Sequence, residues 1–507
     1  LKENTDKLLH KSIDWIFKDE QFNSWRSSDE VSLLWIKGSA GKGKTMMSIG
    51  LVEELSRLSK HETVVAFFFC QNADYELNTI SAIIKGLILQ LVSRRQELKK
   101  SLRDRWDTSN DRFSEDVTSW RGLWDIFVEM LNRCECERVY LVIDALDECQ
   151  DDGMATLLKL IVRTGHGLLS RIKWLLTSRP LNSVEQNLLV GSDQVMVSLD
   201  LNTKHISQGV ANYISYKVAE LDRRHHFGSS LQRDVENELF QKAGDTFQWV
   251  SLVCKELENV GPDQIMAMIQ DLPPGLISYY HRVRNQLCAG ESSNATDCVR
   301  LLKVMMLAYR PLNMTEVNSV TGLSKDKLAI QALINRCASF IKMRGKVIEF
   351  VHQSARDYLA SEHGQSLLDC YDQYDHGEIA RSSLSYLSRH LKVNLIHLAR
   401  PDSTLETTSL IKEGGGNEVL ISLDYAATSW VQHVAAAKHT TTIQEILGEH
   451  GAGGRFLRAK LLEWLECLSL LGKLQHVIEA FKTLKDIASV SDIYVRSHKS
   501  FTDKSLI

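Results

Sequence analysis

Five short runs rich in β-branched and aromatic residues constrain this chain more than any other feature: VSLLWIKG (31–38), VVAFFFC (64–70), RVYLVIDA (138–145), IKWLLTS (172–178) and QVMVSL (194–199). None alternates apolar with polar residues, as a strand with one wet face does. Near-continuous apolar runs belong to strands covered on both faces. Helix-period segments, among them 45–58 and 79–98, lie between the runs. Strand, helix, strand repeated in this way predicts an α/β domain built on a parallel sheet with flanking helices.

The first run leads into Gly38-Ser39-Ala40-Gly41-Lys42-Gly43-Lys44-Thr45, which fits G-x-x-x-x-G-K-[ST] between a buried strand and a helix. Glycines let backbone N–H groups converge on one concavity, and the following helix N-terminus adds positive potential there. The cradle comprises these eight residues and Met46. Lys44 is placed to reach β- and γ-phosphates, and the Thr45 hydroxyl to ligate Mg²⁺. A plain glycine-rich turn would leave Lys44-Thr45 without a reason.

The third run ends in Asp144, with Asp147 and Glu148 close behind. A carboxylate at the C-terminal edge of a parallel strand beside a phosphate loop sits where Mg²⁺ needs an acceptor, so Asp144 is the expected metal-side acid. Glu148, assisted by Asp147, is expected to orient and polarise an attacking water. The fourth run ends in Thr177-Ser178-Arg179-Pro180, and Arg179 at the same edge is placed to contact a γ-phosphate. A solvated acidic loop and a surface ion pair are the plainer readings of these two stretches.

Beyond residue 200 the β-rich runs nearly vanish. Residues 203–272 read as several amphipathic helices. The segment 276–362 reads as helices followed by FIKMRGKVIEFVH (340–352), whose two apolar-rich arms flank Arg344-Gly345 as in a tight hairpin. Helices ending in a hairpin suggest a winged helix. From 363 the chain is helical again, with glycine-rich loops expected at 413–418 and 448–455. The expected division is a helical lead-in (1–30), a nucleotide-binding domain (31–200), a helical domain (201–275), a winged-helix domain (276–362) and a C-terminal all-α region (363–507).

A formal charge of −4 over 507 residues argues against non-specific nucleic-acid binding as the main activity. The ten cysteines are scattered, and Cys134-x-Cys136 has no second pair at zinc spacing, so buried thiols in a reducing compartment are the better reading. No apolar run approaches the length of a membrane span and no signal-peptide pattern is present. These features fit a cytoplasmic protein. The chain begins with Leu1, which suits a piece of something longer.

In this order, the elements resemble the NACHT class of signal-transducing (STAND) NTPases, and in particular fungal heterokaryon-incompatibility proteins of the NOD-like receptor kind. The resemblance rests on LLWIKGxxGKGKT, AFFFCQ (66–71), KGLI (85–88), VIDALDEC, KWLLTSRP, DTFQWVSLV (245–253), LPPGL (272–276) and LDYAATSWVQH (423–433), which span most of the chain. It implies an ATP/ADP switch with Mg²⁺, closed with ADP and self-associating with ATP, that hydrolyses slowly and triggers defence or programmed cell death. It also implies effector and sensor domains or partner proteins; neither an N-terminal effector nor a C-terminal repeat array is recognisable here.

Within FVHQSARDYL (350–359), His352 matches the position at which this family's winged-helix histidine contacts the β-phosphate of bound ADP. Where related switches place Gly-x-Pro near the adenine, this chain has Gly244-Asp245-Thr246-Phe247, and Phe247 could pack on the base instead. The lead-in LLHKSIDWIF (8–17) is placed to close over the base. Two other functions fit parts of the sequence. A winged-helix nucleic-acid-binding regulator would use Lys342, Arg344 and Lys346 on phosphates. A rapid-turnover metabolic ATPase would need an acceptor-substrate motif, and none is identifiable.

Overall fold

The computed structural model describes residues 13–487, except 59–61, 72–73, 75–76, 109–116, 150, 165–170, 181, 189–193, 289–292, 372–373, 397–415, 438 and 449. The lead-in 8–17 therefore lies outside the described residues up to residue 12. The chain divides into two units, Leu1–Arg282 and Val283–Ile507.

In the first unit all five runs are strands: β1 Leu33–Lys37, β2 Thr63–Phe69, β3 Arg138–Asp144, β4 Ile172–Ser178 and β5 Gln194–Ser198. They form one sheet in the order β2-β3-β4-β1-β5, and each neighbouring pair is parallel. The missing alternation has its reason in burial: β4 is buried at every position and β3 at all but its first. Register sets Lys37 level with Ser178 and Ser198, and Phe69 level with Asp144. The residues following β1, β3 and β4 thus emerge at one edge of the sheet.

Packing on the sheet explains several sequence choices. Trp124, Phe127 and Trp174 cluster at centroid distances of 5.6–6.3 Å, and the buried Trp174 indole N–H is satisfied by Thr164 Oγ1 at 2.8 Å. The helix Ile80–Arg94 is capped by Thr79, whose Oγ1 accepts from Ala82 N. It stops short of the expected residue 98, because Arg95 leaves helical geometry before a short 3₁₀ turn at Gln96–Leu98. Gly86 on this helix meets β2 so closely that an added Cβ would lie 2.5 Å from the Phe68 ring. Lys173, the one charge in its run, buries its stem and donates to Ser28 O and Val31 O. Burial pushes its ammonium down to about 8.

The unit continues as the helices Thr203–His225, Gly228–Lys242, Phe247–Leu257 and Pro262–Asp271. Pro262 occupies a first-turn position where its missing N–H costs nothing. Pro273 and Pro274 precede the helix Leu276–Cys288.

The second unit is mostly helical and carries a small antiparallel sheet, β6 Leu312–Asn313, β7 Ile341–Arg344 and β8 Val347–Phe350, in the order β6-β8-β7. The hairpin is present, but its two turn residues are Gly345-Lys346, with Gly345 at φ +62°. That conformation costs a glycine little. Strand β6 was not legible, being two residues long. The glycine-rich stretches expected as loops are partly helical: one helix begins at Gly416 and another at Ala452, taking Gly453 and Gly454 into its first turn. Trp430, Phe456 and Trp464 pack edge-to-face at 5.7–6.2 Å in the core of this unit.

Candidate functional site

The glycine-lysine stretch follows β1 as a loop and enters the helix Lys44–Ser56. Gly41 and Gly43 have φ of +76° and +89°, which side-chain-bearing residues rarely adopt. Lys44 Nζ donates to Gly38 O at 2.5 Å and Ser39 O at 3.1 Å, so the ammonium sits across the mouth of its own loop. Burial lowers its pKa, opposed by the charges of Asp147 and Asp144. A cation at the N-terminus of a helix, with loop carbonyls as its hydrogen-bond partners, suits an anionic ligand.

Asp144, at the end of β3, is 1% exposed and accepts three hydroxyl hydrogen bonds. Thr45 Oγ1 donates to Oδ2 at 2.7 Å, and Ser48 Oγ and Thr177 Oγ1 each donate to Oδ1 at 2.6 Å. Burial raises its pKa, although these hydrogen bonds and Lys44 oppose the shift. An oxygen ligand set of one hydroxyl and one carboxylate, already in contact, matches the preference of a hard divalent cation. Among the described residues no group of three or more His, Cys, Asp or Glu could hold a metal by itself.

Immediately after Asp144 the chain kinks: Ala145 takes φ +54°, and its N–H donates to Thr177 Oγ1 at 3.0 Å. The kink starts the turn Leu146–Glu148, which carries both remaining acids. Asp147 is engaged by Arg179, whose Nε lies 3.1 Å from Oδ2 and whose main-chain N–H donates to Oδ1 at 3.1 Å. Glu148 is half-buried in the same turn.

The structure thus brings Lys44, Thr45, Asp144, Asp147, Glu148 and Arg179 to one sheet edge. Met46 is buried at the start of the helix, and Ser39, Ala40 and Lys42 lie on the loop. Phe247 packs its ring on Gly43, within the first unit. His352, in the second unit, is the N-cap of the helix Gln353–Ala360, and its Nδ1 accepts from Ser354 N at 3.0 Å. That bond fixes the proton of a neutral ring on Nε2. Of the hairpin cations, Lys342 pairs with Glu349 across the strands at 3.4 Å.

Sequence reasoning missed Ser48, Thr177 and Asp200. Ser48 lies three residues after Thr45 on one helix face, a legible signal. Thr177, two residues before Arg179, is an ordinary β-branched strand residue until its contacts to Asp144 and Ala145 are seen. Asp200, whose Oδ2 accepts from Ser39 N at 3.0 Å from 161 positions away, left none.

Residues 11–179 match the family model described as "Nephrocystin 3, N-terminal". Over 500 residues, 95% of its length, the chain is 32% identical to "Vegetative incompatibility protein HET-E-1" of Podospora anserina. The chain is a NACHT-type relative of the fungal incompatibility proteins. It spans 36% of HET-E-1.

As a NACHT-type protein it carries a parallel-sheet P-loop fold followed by a mostly helical region. Likenesses to solved structures are slight. The Walker-type ATPase PABY2304 of Pyrococcus abyssi shares 13% identity with a TM-score of 0.33, covering 70% of this chain and 97% of its own. Cdc6p from Pyrobaculum aerophilum shares 12% with a TM-score of 0.31, covering 72% and 95%. No helix among the described residues is long and apolar enough to cross a membrane.

Proposed function

We propose that this chain is the nucleotide-operated core of a signalling switch of the incompatibility type, closed with ADP and self-associating with ATP. The observation that carries the reading is the convergence of Lys44, the Thr45–Asp144 pair and the Asp147–Arg179 pair on one sheet edge. Residues Gly38 to Met46 would cradle the phosphates, with Lys44 on the β- and γ-phosphates. Thr45 and Asp144 would hold Mg²⁺, which when bound neutralises phosphate charge. Glu148, with Asp147, would orient the attacking water, and Arg179 would contact the γ-phosphate.

Residues 31–200 would form the nucleotide-binding domain, 201–275 a helical domain, 276–362 a winged-helix domain and 363–507 the C-terminal helical domain. His352 would contact the β-phosphate of ADP in the closed form, donating from Nε2. Turnover would be slow, because the work is a shift between two populations rather than product formation. The match to an incompatibility protein supports a defence or cell-death output; the switch would act in the cytoplasm with effector and sensor domains or partners.

The test is the mass of the particle with ADP and with ATP, by light scattering, for the parent chain and His352→Ala. The reading expects ATP to enlarge the parent, and the variant to assemble at lower ATP. Equal mass for the parent with either nucleotide overturns the switch. A variant that assembles no more readily than the parent overturns the latch.

A further inference from the structure

The phosphate loop is contacted at Gly38, Ser39, Gly41 and Gly43 by two later stretches of the first unit. Leu199, directly after β5, is fully buried, and an added Cβ on Gly38 would lie 3.0 Å from it. The next residue, Asp200, takes the Ser39 N–H at 3.0 Å. Gly41 O accepts the N–H of Phe247 at 3.0 Å, and added Cβ atoms would reach Gln248 at 3.3 Å from Gly41 and the Phe247 ring at 3.1 Å from Gly43. Gly38, Gly41 and Gly43 therefore also serve close approach from outside the loop.

Those two stretches are themselves fixed to the helices that follow. Phe247 is 8% exposed and meets Tyr213 of the helix Thr203–His225 edge-on at 5.7 Å. Ser207 Oγ of that helix donates to Asp245 Oδ1 at 2.6 Å, holding a turn in which Gly244 and Asp245 both have positive φ. Trp249 Nε1 then donates to Pro273 O at 3.3 Å. DTFQWVSLV, which lacks the family's proline, is thereby the segment that seats on the loop.

We propose that Asp200 and Phe247 are positioning residues for the phosphate loop: Asp200 at Ser39 and Phe247 at Gly41 and Gly43 hold its conformation and tie it to the helices of 203–272. The consequence for ligand binding rests on the nucleotide reading above; the grip itself does not. A change in loop geometry cannot leave the Phe247 turn where it is, because the contact is a hydrogen bond plus ring-on-backbone packing. By linkage, whatever orders the loop orders residues 243–257 by the same coupling.

Amide exchange followed by mass spectrometry tests this on the parent, Asp200→Ala, Asp200→Asn, Phe247→Ala and Phe247→Leu. Without nucleotide, Phe247→Ala and Asp200→Ala are expected to raise exchange in 38–47 by about tenfold, while Asp200→Asn and Phe247→Leu, which keep an acceptor and apolar bulk, stay nearer the parent. With ADP, the parent is expected to gain protection in both 38–47 and 243–257, and Phe247→Ala in 38–47 alone. Loop exchange unchanged in both alanine variants overturns the grip. Should ADP protect nothing in the parent, the nucleotide reading fails instead, and the nucleotide-free comparison still decides the grip. If Phe247→Ala does not fold, half-exposed Asp200 supplies the same comparison.

Discussion

Arg179 and Asp147 hold each other twice, through Nε to Oδ2 at 3.1 Å and through the Arg179 main-chain N–H to Oδ1 at 3.1 Å. The guanidinium is thereby kept at the sheet edge, where it would meet a ligand that carries a third phosphate. Arg179→Ala is expected to slow ATP hydrolysis about tenfold or more while ADP affinity stays within about threefold. Parallel turnover and ADP titration measurements check this. An equal fall in both would remove the γ-phosphate assignment.

Lys44 has loop carbonyls as its hydrogen-bond partners, and a phosphate would replace them. Lys44→Ala is expected to weaken ADP and ATP about 100-fold, because charge-assisted bonds to phosphate are among the stronger ones. Circular dichroism should show the fold retained. Calorimetric titration reads the loss.

Asp144 presents its carboxylate to three hydroxyls. Asp144→Asn keeps the shape, and the hydroxyls can rotate to meet an amide. The expected result is a small change in melting temperature together with loss of the Mg²⁺ dependence of nucleotide affinity. Titrations with Mg²⁺ and with EDTA separate the two. Unchanged Mg²⁺ dependence would remove Asp144 from the metal side.

These side chains also show how far the sequence could be read. The strands were legible because burial on both faces leaves no alternation, and Lys44, Asp144 and Arg179 because each lies at or shortly beyond the C-terminal end of such a strand. Asp200 and Thr177 were not, since what selects them is a long-range contact to Ser39 in one case and to Asp144 and Ala145 in the other. Gly416, Gly453 and Gly454 misled because a glycine in a helix costs only about 1 kcal/mol, which packing of the neighbouring apolar face offsets.

LDYAATSWVQH supplies a buried network in the second unit. His433 Nε2 is 2.8 Å from Tyr425 OH, and its Nδ1 is 2.7 Å from His376 Nδ1. Burial, then the neighbouring His376, hold the His433 pKa well below the usual histidine range. The unfolded chain therefore takes a proton near pH 6.5 that the folded chain refuses. This contribution to stability is complete above about pH 6.5 and falls as pH drops below it, by at most about 1.4 kcal/mol per pH unit. Urea unfolding between pH 7.5 and 5 should show the slope, and His433→Gln should flatten it.

Denaturing the purified protein and identifying what it releases by ion-exchange chromatography shows whether this chain is built around a retained nucleotide. ADP is expected, approaching one equivalent per chain for the parent and near zero for Lys44→Ala. A parent chain that releases no nucleotide, and takes up none when incubated with millimolar ADP or ATP and Mg²⁺, would contradict it.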